Sequence, residues 1–175
     1  MKFIPLLKLA INPWKKFRKA IAIALITSSI FIQVQPVALA ANQSTDDIFF
    51  KQLTDKTYAA WNTCNPDKVA ELYLNDPDLV IYDATPLKYQ GWKEFKAGIK
   101  THLFDKLNRF KLTANDDLHA TRHDDLVWVT FTYHLSAETK NGQSIETEGR
   151  QTDLWEKHND RWVIVHEHTS APVSL

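Results

Sequence analysis

The amino-acid sequence predicts an α+β domain with three N-terminal helices followed by a mainly antiparallel sheet. Three observations carry the prediction. Apolar residues recur at helical spacing from Phe49 to Leu107; from Arg109 onward they give way to strand-like runs; and the strands come grouped after the helices instead of alternating with them. An apolar content of 44% and an aromatic content of 11% in 175 residues exceed what a disordered chain carries and supply one core.

A leader precedes the domain. Residues 1–40 hold six basic residues and no acidic one, with Lys15-Lys16-Phe17-Arg18-Lys19 ahead of an apolar run from Ala20 to Val34, then Pro36 and Ala38-Leu39-Ala40. Basic, apolar and small-residue regions in that order read as a secretory signal peptide. The apolar run contains Thr27, Ser28, Ser29 and Gln33 and falls short of the about 20 apolar residues of a membrane span. Cleavage after Ala40 is therefore expected, releasing residues 41–175 as an exported (periplasmic or secreted), soluble domain with no membrane contact.

The domain's elements follow in order. Ser44-Thr45-Asp46-Asp47 has the form of a capping box, and Phe49, Leu53, Ala60, Trp61 and Cys64 continue at helical spacing as a long first helix. On that stripe Cys64 is expected to be buried and inert; as the sole cysteine it forms no intrachain disulfide. Asn65-Pro66-Asp67 restarts a helix with a capping Asn and a Pro at the first helical position, and Val69, Leu72 and Tyr73 give it an apolar face. Leu79 to Tyr82 is a short strand. After Gly91, Trp92, Phe95, Ile99, Leu103 and Leu107 are spaced by 3, 4, 4 and 4, a third helix.

Four antiparallel strands are then expected. Phe110-Lys111-Leu112 opens one, Leu126 to Tyr133 forms the next, and Asn141-Gly142 is a strong hairpin turn. Ser144 to Lys157 and Arg161 to Ser170 are the last two, joined through His158-Asn159-Asp160. His119 and His123 beside Asp124 and Asp125 read as a solvated hairpin end. Helices on one sheet face leave Trp128 or Tyr133 on the other, which favours a homodimer or larger homo-oligomer.

Several functions are excluded by composition. Residues 41–175 carry 15 basic against 21 acidic residues, so the basic surplus that nucleic-acid binding needs is missing. No Gly-rich phosphate loop, Gly-x-Ser-x-Gly elbow or Cys pair is present, and four glycines leave little room for a nucleotide loop. No cofactor is expected.

Gly149-Arg150-Gln151-Thr152-Asp153-Leu154-Trp155 and the ending Trp162-Val163-Ile164-Val165-His166-Glu167-His168-Thr169-Ser170-Ala171-Pro172 resemble the nuclear transport factor 2-like superfamily. The similarity is strongest to SnoaL-like domains and to the association domain of calcium/calmodulin-dependent protein kinase II, and covers residues 44–173. It implies a cystatin-like roll: a cone in which helices close a strongly curved sheet over one pocket, often with sheet-to-sheet dimers. The superfamily hosts isomerases, cyclases, epoxide hydrolases, dehydratases and pure assembly modules, so the fold leaves function open. In kinase association domains the position matching Asp153 is an Arg in an anion-binding pocket; the acid here disfavours a carboxylate ligand.

Strand register proposes a site. With Asn159-Asp160 at the hairpin tip, Trp155 falls opposite Ile164, Asp153 opposite His166 and Gln151 opposite His168, all on one face. A carboxylate beside an imidazole suits proton transfer, so Asp153 and His166 are the catalytic candidates; the bland reading is a structural pair. Asp83, at the end of the first strand, is a third candidate acid. Gln151, Trp155 and His168 share the face as ligand contacts, while Tyr82, Trp92 and Tyr133 could supply a hydroxyl and walls or belong to the ordinary core. Arg150 lies on the other face, diagonal to Glu167, as a cross-strand ion pair or an alternative ligand contact. His166-x-His168 with Asp153 is too thin a set for a metal site, and none is expected. The function expected is that of a small-molecule pocket protein, a cofactor-free acid/base enzyme of isomerase, cyclase, hydratase or hydrolase type on a small apolar substrate. The alternative is a non-catalytic ligand-binding or oligomerisation module.

Overall fold

Ser44 caps α1 (Thr45–Trp61) reciprocally: its side chain accepts from the Asp47 N–H, and the Asp47 carboxylate accepts from the Ser44 N–H. The computed structural model describes residues 43–84 and 86–172. The expected signal peptide and its cleavage point lie outside the described residues. Phe50, Thr54, Tyr58 and Trp61 form the buried stripe of α1. Asp47 Oδ1 also accepts the Ala120 N–H at 2.7 Å, so the cap fastens α1 to the sheet. Arg122 adds two bonds to Asp46, at 2.8 and 2.5 Å, and lies 4.9 Å over the Trp162 ring.

Helix α2 (Pro66–Ala70) begins as expected, with Asn65 accepting from the Asp67 N–H. Cys64 departs from expectation. It sits three residues beyond the end of α1, exposed and at φ 52°, in the turn between the helices. Its i+3 spacing from Trp61 imitates a helical turn that the chain does not make.

Strand β1 (Val80–Tyr82) leads to β2 (Tyr89–Gln90), a two-residue strand with no sequence signal of its own. The third helix is divided. Helix α3 (Trp92–Gly98) widens into a π turn at Ile99–Leu103 and tightens into a 3-10 turn at Phe104–Lys106, and Leu107 already belongs to β3 (Leu107–Ala114). Strand β4 (His119–His123) occupies the segment read as a hairpin end, so five strands follow the helices instead of four; the others are β5 (Leu126–Thr139), β6 (Ser144–His158) and β7 (Arg161–Ser170).

Among the described residues the sheet has seven strands in the order β2-β1-β7-β6-β5-β3, with β4 also on β5. All pairings are antiparallel except β1 with β7. Strand β5 pairs with β4 along its first half and with β3 along its second. At the break between them, Asp117 accepts from both the N–H and the hydroxyl of Thr132. Breaks and bulges of this kind bend a sheet, and this one is strongly curved and unclosed around the helices. Of the two aromatics considered for the outer face, Tyr133 is 4% exposed and inside, whereas Trp128 is 37% exposed and stacked on His123.

One bulge changes the site. The β6–β7 hairpin starts in the expected register, with His158 opposite Arg161 and Trp155 opposite Ile164, but Leu154 then pairs with His166, leaving Val165 as an extra residue. From there every β7 side chain exchanges faces. Asp153 therefore faces Glu167 instead of His166, and Gln151 faces Thr169 instead of His168. Arg150 is exposed and opposite Ser170, while Glu167 is buried on the inner face, so the expected Arg150–Glu167 ion pair does not form.

Candidate functional site

Strands β6 and β7 present Gln151, Asp153, Glu167 and Thr169 to the inner face, where α1 covers them. The polar groups form one network. Tyr58 Oη donates to Gln151 Oε1 at 2.8 Å, and the Gln151 amide nitrogen donates to Asp153 Oδ1 at 2.8 Å and to Glu167 Oε2 at 3.2 Å. Trp61 Nε1 donates to Tyr73 Oη at 3.1 Å, and Tyr73 Oη donates to Glu167 Oε2 at 2.5 Å. Two acids thus share one amide as donor, and that requirement orients Gln151 with its nitrogen toward them.

Burial decides the protonation of these acids. Asp153 is 0% and Glu167 6% exposed, and their donors among the described residues are the Gln151 amide and the Tyr73 hydroxyl, not cations. Loss of water pushes the Asp153 carboxyl up to about 7, partly offset by the Gln151 hydrogen bond. Glu167 is pushed up well above the carboxylate range, first by burial and then by the Asp153 charge. The pair therefore holds a proton at neutral pH. Burial, reinforced by these acids, also raises Tyr58 and Tyr73, which remain hydroxyl donors.

The network closes one end of a cavity of about 250 Å³. Tyr58, Gln151, Glu167 and Thr169 form the polar lining, and Trp61, Ile99, Leu103, Phe110 and Leu112 contribute apolar wall. Asp83, Tyr89 and Tyr133 complete the aromatic and acidic side. Two glycines make room for these tyrosines: a Cβ at Gly98 would stand 2.0 Å from the Tyr89 ring, and one at Gly149 2.1 Å from the Tyr133 ring. The cavity falls just below the about 300–1,000 Å³ usual for ligand sites, suiting a small molecule. Its described lining contains no Lys, Arg or His.

The structure gathers some predicted site residues and scatters others. Asp153 and Gln151 belong to the network, and Asp83 and Tyr133 line the cavity. Trp155 packs under Phe50 at 6.0 Å, and Trp92 stacks on Tyr73 at 6.1 Å; neither belongs to the cavity lining. His166 bonds the Val80 carbonyl oxygen at 2.7 Å, and Tyr82 meets the rings of His166 and His168 at 5.6 and 5.8 Å, away from the acid pair. Among the described residues no group of three or more His, Cys, Asp or Glu is placed to hold a metal ion. Sequence reasoning missed Tyr58, Tyr73 and Thr169 as site residues, and it placed Glu167 on the opposite sheet face as the partner of Arg150. Val163-Ile164-Val165 carried a signal: three apolar residues in succession break strand alternation, as a bulge does.

Comparison with known proteins agrees with this architecture. No curated protein matches the chain. Among solved structures, a nuclear transport factor 2 (NTF2-like) superfamily protein from Salmonella enterica serovar Typhimurium is 20% identical, with a TM-score of 0.68 over 73% of this chain and 92% of its own. A candidate calcium/calmodulin-dependent protein kinase II association domain from Xanthomonas campestris is 26% identical, with a TM-score of 0.64 over 79% and 94%. A candidate dehydratase of the NTF2-like family from Streptomyces avermitilis is 13% identical, with a TM-score of 0.64 over 75% and 100%. The SnoaL-like domain model matches residues 50–174, from the buried Phe50 of α1 past the end of β7. With that match over most of its length, and with helices closing a curved sheet over one cavity, the chain belongs to the SnoaL-like domain family of the nuclear transport factor 2-like superfamily.

Proposed function

We propose that this protein is an exported, cofactor-free acid/base enzyme acting on a small, apolar, uncharged substrate, in a reaction of the isomerase or hydratase type. One observation carries the reading: Glu167, an acid held protonated by burial beside Asp153, lines a mainly apolar cavity that also holds the Asp83 carboxyl. Glu167 Oε2 is occupied by donors from Tyr73 and Gln151, so the proton belongs on Oε1. There it serves an oxygen of the substrate as hydrogen-bond donor and general acid. Asp83, on the same cavity, accepts the proton that the substrate loses. Two carboxyl groups in unlike surroundings, one dry and one half-buried, divide acid from base in this way. The apolar walls position the carbon skeleton and exclude water, and acids without a basic partner repel anionic substrates.

The candidate dehydratase among the structural neighbours is consistent with such chemistry. The association-domain neighbours support a homo-oligomeric state. The test is deuterium incorporation, followed by proton NMR in D2O, into a panel of small neutral ketones, enones and hydroxy-ketones. Glu167→Gln should slow exchange by about 100-fold or more, the scale of a lost general acid. Saturable binding of panel members with no exchange in the wild-type protein would overturn catalysis and leave a ligand-binding domain.

A further inference from the structure

Helix α1 and strand β6 lie side by side with matched repeats. Phe50 packs on Trp155, ring centroids 6.0 Å apart, and Tyr58 bonds Gln151 at 2.8 Å. Eight helical residues rise about 12 Å and four strand residues about 13 Å, so the two elements keep step. Thr54, midway between Phe50 and Tyr58, therefore comes level with Asp153, midway between Trp155 and Gln151.

Along this seam three buried polar atoms have no hydrogen-bond partner among the described residues: Thr54 Oγ1 and Asp153 Oδ2 at the shared level, and Trp155 Nε1 one strand repeat along β6. Their residues are at most 1% exposed. The contrast with Thr57 is informative, because that hydroxyl donates to the Leu53 carbonyl at 2.9 Å, as helix threonines commonly do. Three orphaned groups, each costly to leave unpaired away from water, are not an apolar gap. They comprise an N–H donor, a carboxylate acceptor and a hydroxyl that can act either way, the partners an internal water of about three hydrogen bonds requires.

We propose that Thr54, Asp153 and Trp155 form a binding site for one internal water molecule, and that this water makes Asp153 the ionised member of the acid pair. The water accepts from Trp155 Nε1–H, donates to Asp153 Oδ2 and bonds the Thr54 hydroxyl. Asp153 then receives the Gln151 amide on one oxygen and the water on the other, and two donors favour the anion. Glu167 retains the proton. The titratable groups facing the pair are Tyr58 from α1, Tyr73 after α2, Tyr133 from β5, and Asp83 after β1. The tyrosines stay neutral and the Asp83 charge works against ionising Glu167, so both influences leave the proton where it is. Thr54 and Trp155 are positioning residues acting through the water. The inference rests on the geometry of the acid pair and stands whether or not the cavity turns over a substrate.

Two measurements on the purified protein test it. The Trp155 indole N–H, assigned with Trp155→Phe, should show a nuclear Overhauser cross-peak to a long-lived water. Thr54→Val, of nearly equal shape, should weaken that peak several-fold and raise the Asp153 midpoint, read by carboxyl carbon NMR, by about 0.5 to 1 unit. Thr54→Ser, which keeps the hydroxyl, should restore both, and serves if the Val variant does not fold. A folded wild-type protein without the cross-peak overturns the water site. An unchanged Asp153 midpoint in Thr54→Val overturns its role in placing the proton.

Discussion

A carboxylic acid enclosed by aromatic rings and amide donors keeps its proton well above the pH at which it would release it in water, and Glu167 does so beside a second such acid. The Asp153 charge helps hold the Glu167 proton. Asp153→Asn should therefore lower the Glu167 midpoint, readable by carboxyl carbon NMR; an unchanged midpoint would show that the two acids do not sense each other. The same shifts set a pH dependence of stability. Both folded midpoints lie above those of the unfolded chain. From about pH 4 upward the unfolded chain releases protons that the fold retains, so stability falls with rising pH, by up to about 1.4 kcal/mol per unit and per retained proton, until the folded midpoints are passed. Thermal unfolding should show the Asp153→Asn, Glu167→Gln double variant gaining on the wild type between pH 5 and pH 8. Equal differences at the two pH values would contradict burial of the pair.

Between elements, stability and site are fastened by few contacts. Ser44→Ala removes one side of the reciprocal cap and should cost about 1 kcal/mol in denaturant unfolding. Gly149→Ala is more revealing, because the new Cβ would stand 2.1 Å from the Tyr133 ring on the neighbouring strand. The ring must move, at a cost of about 1–3 kcal/mol, and with it a wall of the cavity. Ligand affinity and thermal midpoint should fall together. The elements themselves were largely legible. Ser44, Asn65 and Pro66 announced two helix starts, and Asn159 and Asp160, at φ 47° and 63°, made the hairpin turn that ordered the last two strands. What escaped were features decided by tertiary contact. Gln90 and Tyr89 pair only because β1 lies beside them, and β4 is a strand because β5 offers it an edge. At the site, Asp153 and Gln151 were found by spacing on β6. Their partner was misassigned because Val165 adds one residue to β7, and one residue turns every later side chain over.

At the scale of the molecule, the proposed homo-oligomer would use the outer sheet face that carries Trp128. The domain of residues 41–175 should be at least a dimer at micromolar concentration by light scattering. A species of about 15 kDa throughout that range, as for an ordinary single domain, would contradict it. Its N-terminus after export should be Ala41, which intact mass decides; a chain from the exported fraction still beginning at Met1 would refute processing.

The parallel pairing of β1 with β7, extended by a parallel bridge from Tyr73 to Ile164, joins segments that are remote in sequence: His166 of β7 bonds the backbone of Val80, 86 residues earlier. An antiparallel hairpin zips from its own turn, but this seam must wait for a long loop to close, and contacts of such separation slow folding. Strands β5, β6 and β7 can assemble as a meander before β1 arrives with Asp83 at its end. Refolding should therefore pass through a form whose sheet is largely paired while the Asp83 side of the cavity is still unbuilt, and competence to bind ligand should return later than sheet structure. A chain ending before Arg161 could complete neither step, because β7 supplies both the seam and Glu167.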